Sequence, residues 1–247
     1  MKKSLLCLVV FVIVSGFASA FSSLAVEGNY WFGGSRQGTF IFGPEEADFS
    51  HQSLSLAVSA DLAPGFVLVA DYAFSNCTDP AVDGQAVSAE GYSLRQHLGS
   101  VSVGRLLTIK PGFALTASVG WGFYQRREQI SEDGSVGFRL DVSAGRPQAA
   151  VAAQLKLTPQ VTVSGNFAAL LGTKAMFKIG SSSAGGWEEI PLSLRRWQLE
   201  GKYALGPGWE AVLGYRVWDI ATESPQVLGR PLDLEKTGFY LGARFSL

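Results

Sequence analysis

Along much of the chain, apolar residues recur at every second position for eight to twelve residues at a time. In 53–62, Leu54, Leu56, Val58, Ala60 and Leu62 alternate with Ser53, Ser55, Ala57, Ser59 and Asp61. In 66–75, Phe66, Leu68, Ala70, Tyr72 and Phe74 oppose Asp71 and Ser75, and in 113–124 Phe113, Leu115, Ala117, Val119, Trp121 and Phe123 oppose Thr116, Ser118, Gly120 and Gly122. A β-strand turns successive side chains to opposite faces, so this period predicts strands with one apolar face and one small or polar face. The same pattern, with more noise, runs through 24–33, 93–109, 148–157, 161–172, 196–205, 209–219 and 237–247. Ten strands are predicted. Two irregularities stand out. In 93–109, Leu94 and Leu98 favour one phase and Val101 and Val103 the other, which predicts a bulge near Gly99; a phase break is expected at Arg146-Pro147.

What joins the strands is as regular as the strands. Pro64, Pro111, Pro159 and Pro207 follow one another at intervals of 47 or 48 residues, each in a short polar turn between two alternating runs. Proline has no N–H to give a sheet and a fixed φ, so it suits such turns and not strand interiors. Between the short turns lie five longer connections, 34–50, 76–92, about 126–147, 173–191 and 220–235, which hold the other six prolines in or at the edge of them. Within the third, Leu140 and Val142 alternate with Arg139 and Asp141 beyond Glu132-Asp133-Gly134, which predicts a hairpin standing out past the rest. Short turns on one rim, long connections on the other and both termini on the short-turn rim describe an all-β fold, a single antiparallel up-and-down β-barrel of ten strands.

Composition decides which side of the barrel is apolar. Only 17% of the residues are charged and 29 are glycine, lean for a wetted surface, which carries roughly 25% or more. A soluble barrel with these faces reversed would bury aromatics from every strand behind a Ser- and Gly-rich exterior, so the apolar face is expected to meet lipid and the barrel to be transmembrane. Phe66, Phe113 and Trp209 follow three of the short turns, while Phe74, Trp121, Phe123, Trp197, Tyr215 and Phe239 fall toward the other rim. Two interfacial girdles are implied, separated by roughly 20 Å over the eight residues from Phe66 to Phe74. Residues 1–20 read as a signal peptide, with Lys2 and Lys3, an apolar core over 5–14 and Ala18-Ser19-Ala20 at the cleavage site. Export of Sec type and a mature barrel domain over 21–247 follow.

The last strand, with Phe239, Leu241, Ala243, Phe245 and Leu247 on one face, resembles the final strand of bacterial outer-membrane proteins as a family. Leu247 stands where those proteins usually end in Phe or Trp. In style the chain is similar to the small OmpA, OmpX and opacity-type barrels. That resemblance implies residence in the outer membrane, insertion by the barrel-assembly machinery, the lipid bilayer as partner, and a structural or adhesin-like role in which the outer loops meet a surface ligand. A small, weakly anion-selective pore is the alternative.

Candidate chemistry lies on the inward face. Glu27, Asp61, Asp71, Arg95, Arg105, Lys156, Arg196, Glu200, Lys202, Glu210, Arg216 and Arg244, with His97 beside Arg95, are expected inside. Charges in a narrow interior are costly unless paired, so a ladder of ion pairs is expected. Barrel closure predicts Arg244 against Glu27; Asp71 and Arg105 fall at comparable depth, and Lys202 and Glu210 flank the last turn. His51 and Ser53 share one face near the outer rim, and this His-x-Ser pair resembles the motif of outer-membrane lipid A deacylases; no carboxylate is placed to orient His51. Ten strands also resemble the omptin surface proteases, which implies acidic residues with an Asp-x-His element, a spacing that neither Asp48-Phe49-Ser50-His51 nor Gln96-His97 reproduces. Neither constellation is complete, so no catalytic site is assigned, and no spacing of His, Cys and carboxylates suggests a metal or cofactor. Cys77, the one cysteine outside the signal peptide, is expected as an unpaired loop thiol. A formal charge of −1 points to no nucleic-acid partner.

Overall fold

The structure is a computed structural model, and it describes residues 23–38, 46–82, 85–86, 92–132, 135–172, 174–180, 187–222 and 233–247. Residues 1–20, expected to be a signal peptide, lie outside the described residues. Twelve strands follow one another: β1 (Leu24–Gly38), β2 (Glu46–Ala63), β3 (Phe66–Val82), β4 (Gln85–Ala86), β5 (Tyr92–Lys110), β6 (Phe113–Glu132), β7 (Ser135–Lys156), β8 (Val161–Leu170), β9 (Lys174–Gly180), β10 (Trp187–Gly206), β11 (Trp209–Thr222) and β12 (Leu234–Ser246). β8 and β9 lie end to end between β7 and β10 and form a single stave, while β4 pairs only with β3. β12 pairs with β1 on one side and β11 on the other. The result is a closed antiparallel barrel of ten staves.

Three of the four short turns are Pro-Gly turns in which the glycine has a positive φ: Gly65 (76°), Gly112 (82°) and Gly208 (75°). Side-chain-bearing residues rarely adopt that conformation. Each is accompanied by a shift of register in the strand that enters it, at Asp61/Ala63, Thr108/Lys110 and Ala204/Gly206. The fourth, Pro159-Gln160, has no glycine. There the Thr158 hydroxyl accepts from the backbone N–H of Gln160 (3.2 Å) and of Val161 (3.0 Å) and does the same work with a side chain.

The strands run far past the lengths expected from alternation alone. β6 has 20 residues, about 50 Å along the barrel at a tilt near 40°, against an apolar band of about 25 Å. Much of what was expected as long connections is strand, and the third hairpin is paired as far as Glu132 and Ser135. The upper half of the barrel stands beyond the band.

The two expected irregularities are absent. β5 pairs without interruption from Leu94 to Arg105 against β3, and β6 pairs without a shift from Phe113 to Ile130 against β7, straight through Arg146 and Pro147. The phase holds; the surroundings change. In β10, Trp197, Leu199, Tyr203 and Leu205 face outward while Arg196, Gln198, Glu200 and Lys202 face inward; further up the same inward row continues as Leu194, Leu192 and Ile190, all buried, with Arg195, Ser193 and Glu189 outside. In β5, Leu94 and Leu98 lie buried in the row that continues as Ser100 and Ser102, opposite the exposed Val101 and Val103. Below the boundary the outside is lipid, and above it the outside is water. The apolar face therefore swaps sides while every residue keeps its parity.

Candidate functional site: the barrel interior

The interior has two storeys. The lower one, at the level of the apolar band, is a cavity of about 520 Å³ lined by charged, polar and small apolar side chains. Its frame is a set of ion pairs that cross the barrel. Arg196 on β10 reaches Asp71 on β3, with Nη2 donating to Oδ1 at 2.8 Å and Nη1 to Oδ2, and the Ser100 hydroxyl donates to the same carboxylate. Glu200 accepts from Lys202 (2.8 Å), the Ser164 hydroxyl (2.8 Å) and the Tyr240 hydroxyl (2.7 Å). Lys202 also meets Glu27 at 3.2 Å, and Glu27 takes a further hydrogen bond from the Asn29 amide at 2.8 Å. Each carboxylate has a cation and at least one neutral donor, the condition under which a buried charge is tolerable. Near the short-turn rim the Ser23 hydroxyl donates to Asp61.

The upper storey is filled. Trp31 and Trp218 meet edge to face with centroids 4.7 Å apart and, with Tyr124, Leu140, Val142, Phe177, Ile190, Leu194 and Tyr240, form an apolar core across the barrel. Lys236 is completely buried beside it. Its ammonium donates to Ser75, to Gln96 Oε1 (3.1 Å) and to Cys77 Sγ (3.9 Å), and lies 5.3 Å from the Trp31 ring centre. Higher up on β6, Arg126 and Glu128 form a buried pair at 2.9 Å. Cys77 is thus a buried strand residue, not a loop thiol.

Several sequence assignments change. Arg95, His97 and Arg105 face outward, because the parity fixed by the lipid-facing Val101 and Val103 carries all odd residues of β5 outside. Arg105 lies over the Phe66 ring at 4.6 Å, and His97 Nδ1 is 2.6 Å from the Tyr72 hydroxyl. Asp71 therefore pairs with Arg196 and not with Arg105. Arg244 does stand opposite Glu27 in the register, but it also stands opposite Glu210 on the other flank and pairs there at 3.7 Å, leaving Glu27 to Lys202. Lys156 is exposed at the turn end of β7. The sequence reading passed over Trp31, Arg126, Glu128, Trp218 and Lys236. Extending the parity of Gly238, Tyr240 and Arg244 two residues back would have found Lys236.

Outside, the belt is laid out as the aromatics suggested. Phe66 and Trp209 are exposed toward the short-turn rim, and Trp121, Phe123, Trp197 and Phe239 toward the other, with Val119, Val151 and Leu213 exposed between them. Phe74, Phe113 and Tyr215 are half-buried in the same two rings. The chain folds as a bacterial outer-membrane β-barrel. The outer membrane protease OmpT of Escherichia coli superposes with a TM-score of 0.63 over 92% of this chain and 97% of that one, at 9% identity. The translocator domain of the autotransporter NalP of Neisseria meningitidis gives 0.48 over 99% and 95% at 12% identity, and the attachment invasion locus protein Ail of Yersinia pestis 0.36 over 91% and 98% at 12% identity. At 9% identity the likeness to OmpT is one of fold. No protein-family model matches the chain, and no curated protein matches its sequence. In the outer-membrane barrel, the exposed apolar belt is the surface that meets the bilayer.

His51 and Ser53 belong to the inward row of β2 and retain 2% of their surface each; His51 packs edge-on against Trp31 at 4.6 Å. Among the described residues, no side chain hydrogen-bonds to either ring nitrogen of His51 or to the Ser53 hydroxyl.

Proposed function

We propose that the protein is a non-enzymatic outer-membrane barrel with a structural or surface-interaction role, adhesin-like in kind, carried by the hairpins that rise above the membrane. The observation that supports this most directly is the packed upper storey. A barrel closed by Trp31, Trp218, Tyr124, Leu140 and Phe177 holds its hairpins on a rigid base and offers no obvious path for solutes. Above the belt the outward face is hydrophilic, with Arg36 paired to Asp48, Arg127 and Arg139 both on Asp141, and Lys174 on Glu189. Such a face is suited to standing in water beside a partner.

A lipid-modifying or proteolytic role finds little support. Lipid reaches a barrel from outside, whereas His51 and Ser53 look into its core, with no carboxylate on His51 among the described residues. The pore reading would require the upper core to part. The test is adhesion of cells displaying the full chain, compared with a chain in which residues 39–45 and 223–231 are replaced by Gly-Ser linkers. The proposal expects adhesion to abiotic or host surfaces that the replaced chain loses by about ten-fold while its barrel still folds. Equal adhesion by both chains, or none by either, would sink it.

A further inference from the structure

Beyond the surface role, the lower storey has the attributes of a ligand site. A volume of about 520 Å³ lies within the range of small-molecule sites, about 300–1,000 Å³. The cavity is capped by Trp218 and reaches down to Ser23, Asp61 and Ser246 at the short-turn rim, the periplasmic rim of barrels of this wiring. Three arginines line it. Arg196 is spent on Asp71 and Arg244 on Glu210. Among the described residues Arg216 forms no ion pair: its Nε donates to Gln198 Oε1 (3.1 Å) and its Nη1 to the Ser55 hydroxyl (3.3 Å), while its Nη2 meets no partner among them.

Arg216 is nonetheless held firmly. It retains 8% of its surface, and its guanidinium lies 4.7 Å from the Tyr240 ring centre and 5.6 Å from that of Trp31. Gly214 leaves the space for this arrangement, since a Cβ there would stand 2.3 Å from the Tyr240 ring. A guanidinium fixed by neutral acceptors and aromatic faces, with one donor edge unspent over a cavity, is a preorganised carboxylate receptor. The walls beneath it carry Ser102, Ser118, Gln148 and Asn166 among small alanines. These groups suit hydroxyls.

The geometry points to a small hydroxylated carboxylate, of the sugar-acid class, bound from the periplasmic side with its carboxylate on Arg216. The test is a titration of the refolded full-length barrel in detergent micelles with sodium glucuronate, at constant ionic strength, read on the ¹⁵N-labelled arginine side-chain signals. Glucose and sodium chloride serve as comparison probes. A saturable shift of the Arg216 signal with glucuronate is expected, absent with glucose or chloride, and weakened about ten-fold or more in Arg216→Gln. The wild-type titration stands without the variant should the variant misfold. Three results would overturn the inference: no saturable shift with glucuronate, an equal shift with chloride, or unchanged binding by a folded Arg216→Gln barrel.

Discussion

At the scale of single residues, the lower storey depends on charges that hold one another across the barrel. Asp71 and Arg196 are the widest of these links, joining β3 to β10, and their side chains keep 18% and 19% of their surface. Removing one partner leaves the other ionised in a confined space. Asp71→Ala is expected to cost about 2–4 kcal/mol in chemical unfolding from micelles, somewhat under the fully buried case because the cavity reaches this pair. The double variant with Arg196→Ala should cost less than the sum of the two single changes. In the upper storey the risk is a void. Trp218→Ala should cost about 3–5 kcal/mol by the same measurement. Which residues face inward was legible in most of the recognised strands, though not in β5, where Arg95, His97 and Arg105 face outward. Asp71, Arg196, Glu200, Lys202, Arg216 and Arg244 all follow from parity. Partners were not legible, because the register places Arg244 opposite both Glu27 and Glu210, and only the side-chain reach from Lys202 decides between them.

At the scale of the strand, one continuous phase passes through two solvents. Alternation of hydrophobicity is a reliable sign of a strand only while its surroundings stay the same. In β5 and β7 the surroundings change part-way, so Leu98 beside Val101, and Val142 beside Val151, imitate a bulge and a phase break in a strand that has neither. Arg95 and His97 were misplaced for the same reason: a charge looks like an interior residue only if the exterior is lipid. The inversion also predicts how substitutions behave along one strand. Leu213→Arg, in mid-belt on β11, is expected to destabilise the barrel by about 2–4 kcal/mol in lipid vesicles. Asp219→Arg, six residues further up on the same outward face, should change stability by no more than about 0.5 kcal/mol. Equal penalties at the two positions would show that lipid covers both.

At the scale of the whole molecule, the comb of prolines, the even stave count and the girdles were all present in the sequence, because each is set by local chemistry. The filled upper storey was not, because it is built from stretches that read as loops: Leu140, Phe177, Ile190 and Leu234 come from three of them. That filling separates a barrel that displays hairpins from one that conducts. Ions entering from the periplasmic rim find a cavity of about 520 Å³ and then the Trp31–Trp218 contact. The most direct measurement is single-channel conductance of the refolded full chain in a planar bilayer, beside Arg196→Ala and Arg216→Ala. The account predicts a silent wild-type barrel. A steady wild-type conductance that changes in the two variants would mean that the lumen is open through both storeys, and would contradict it.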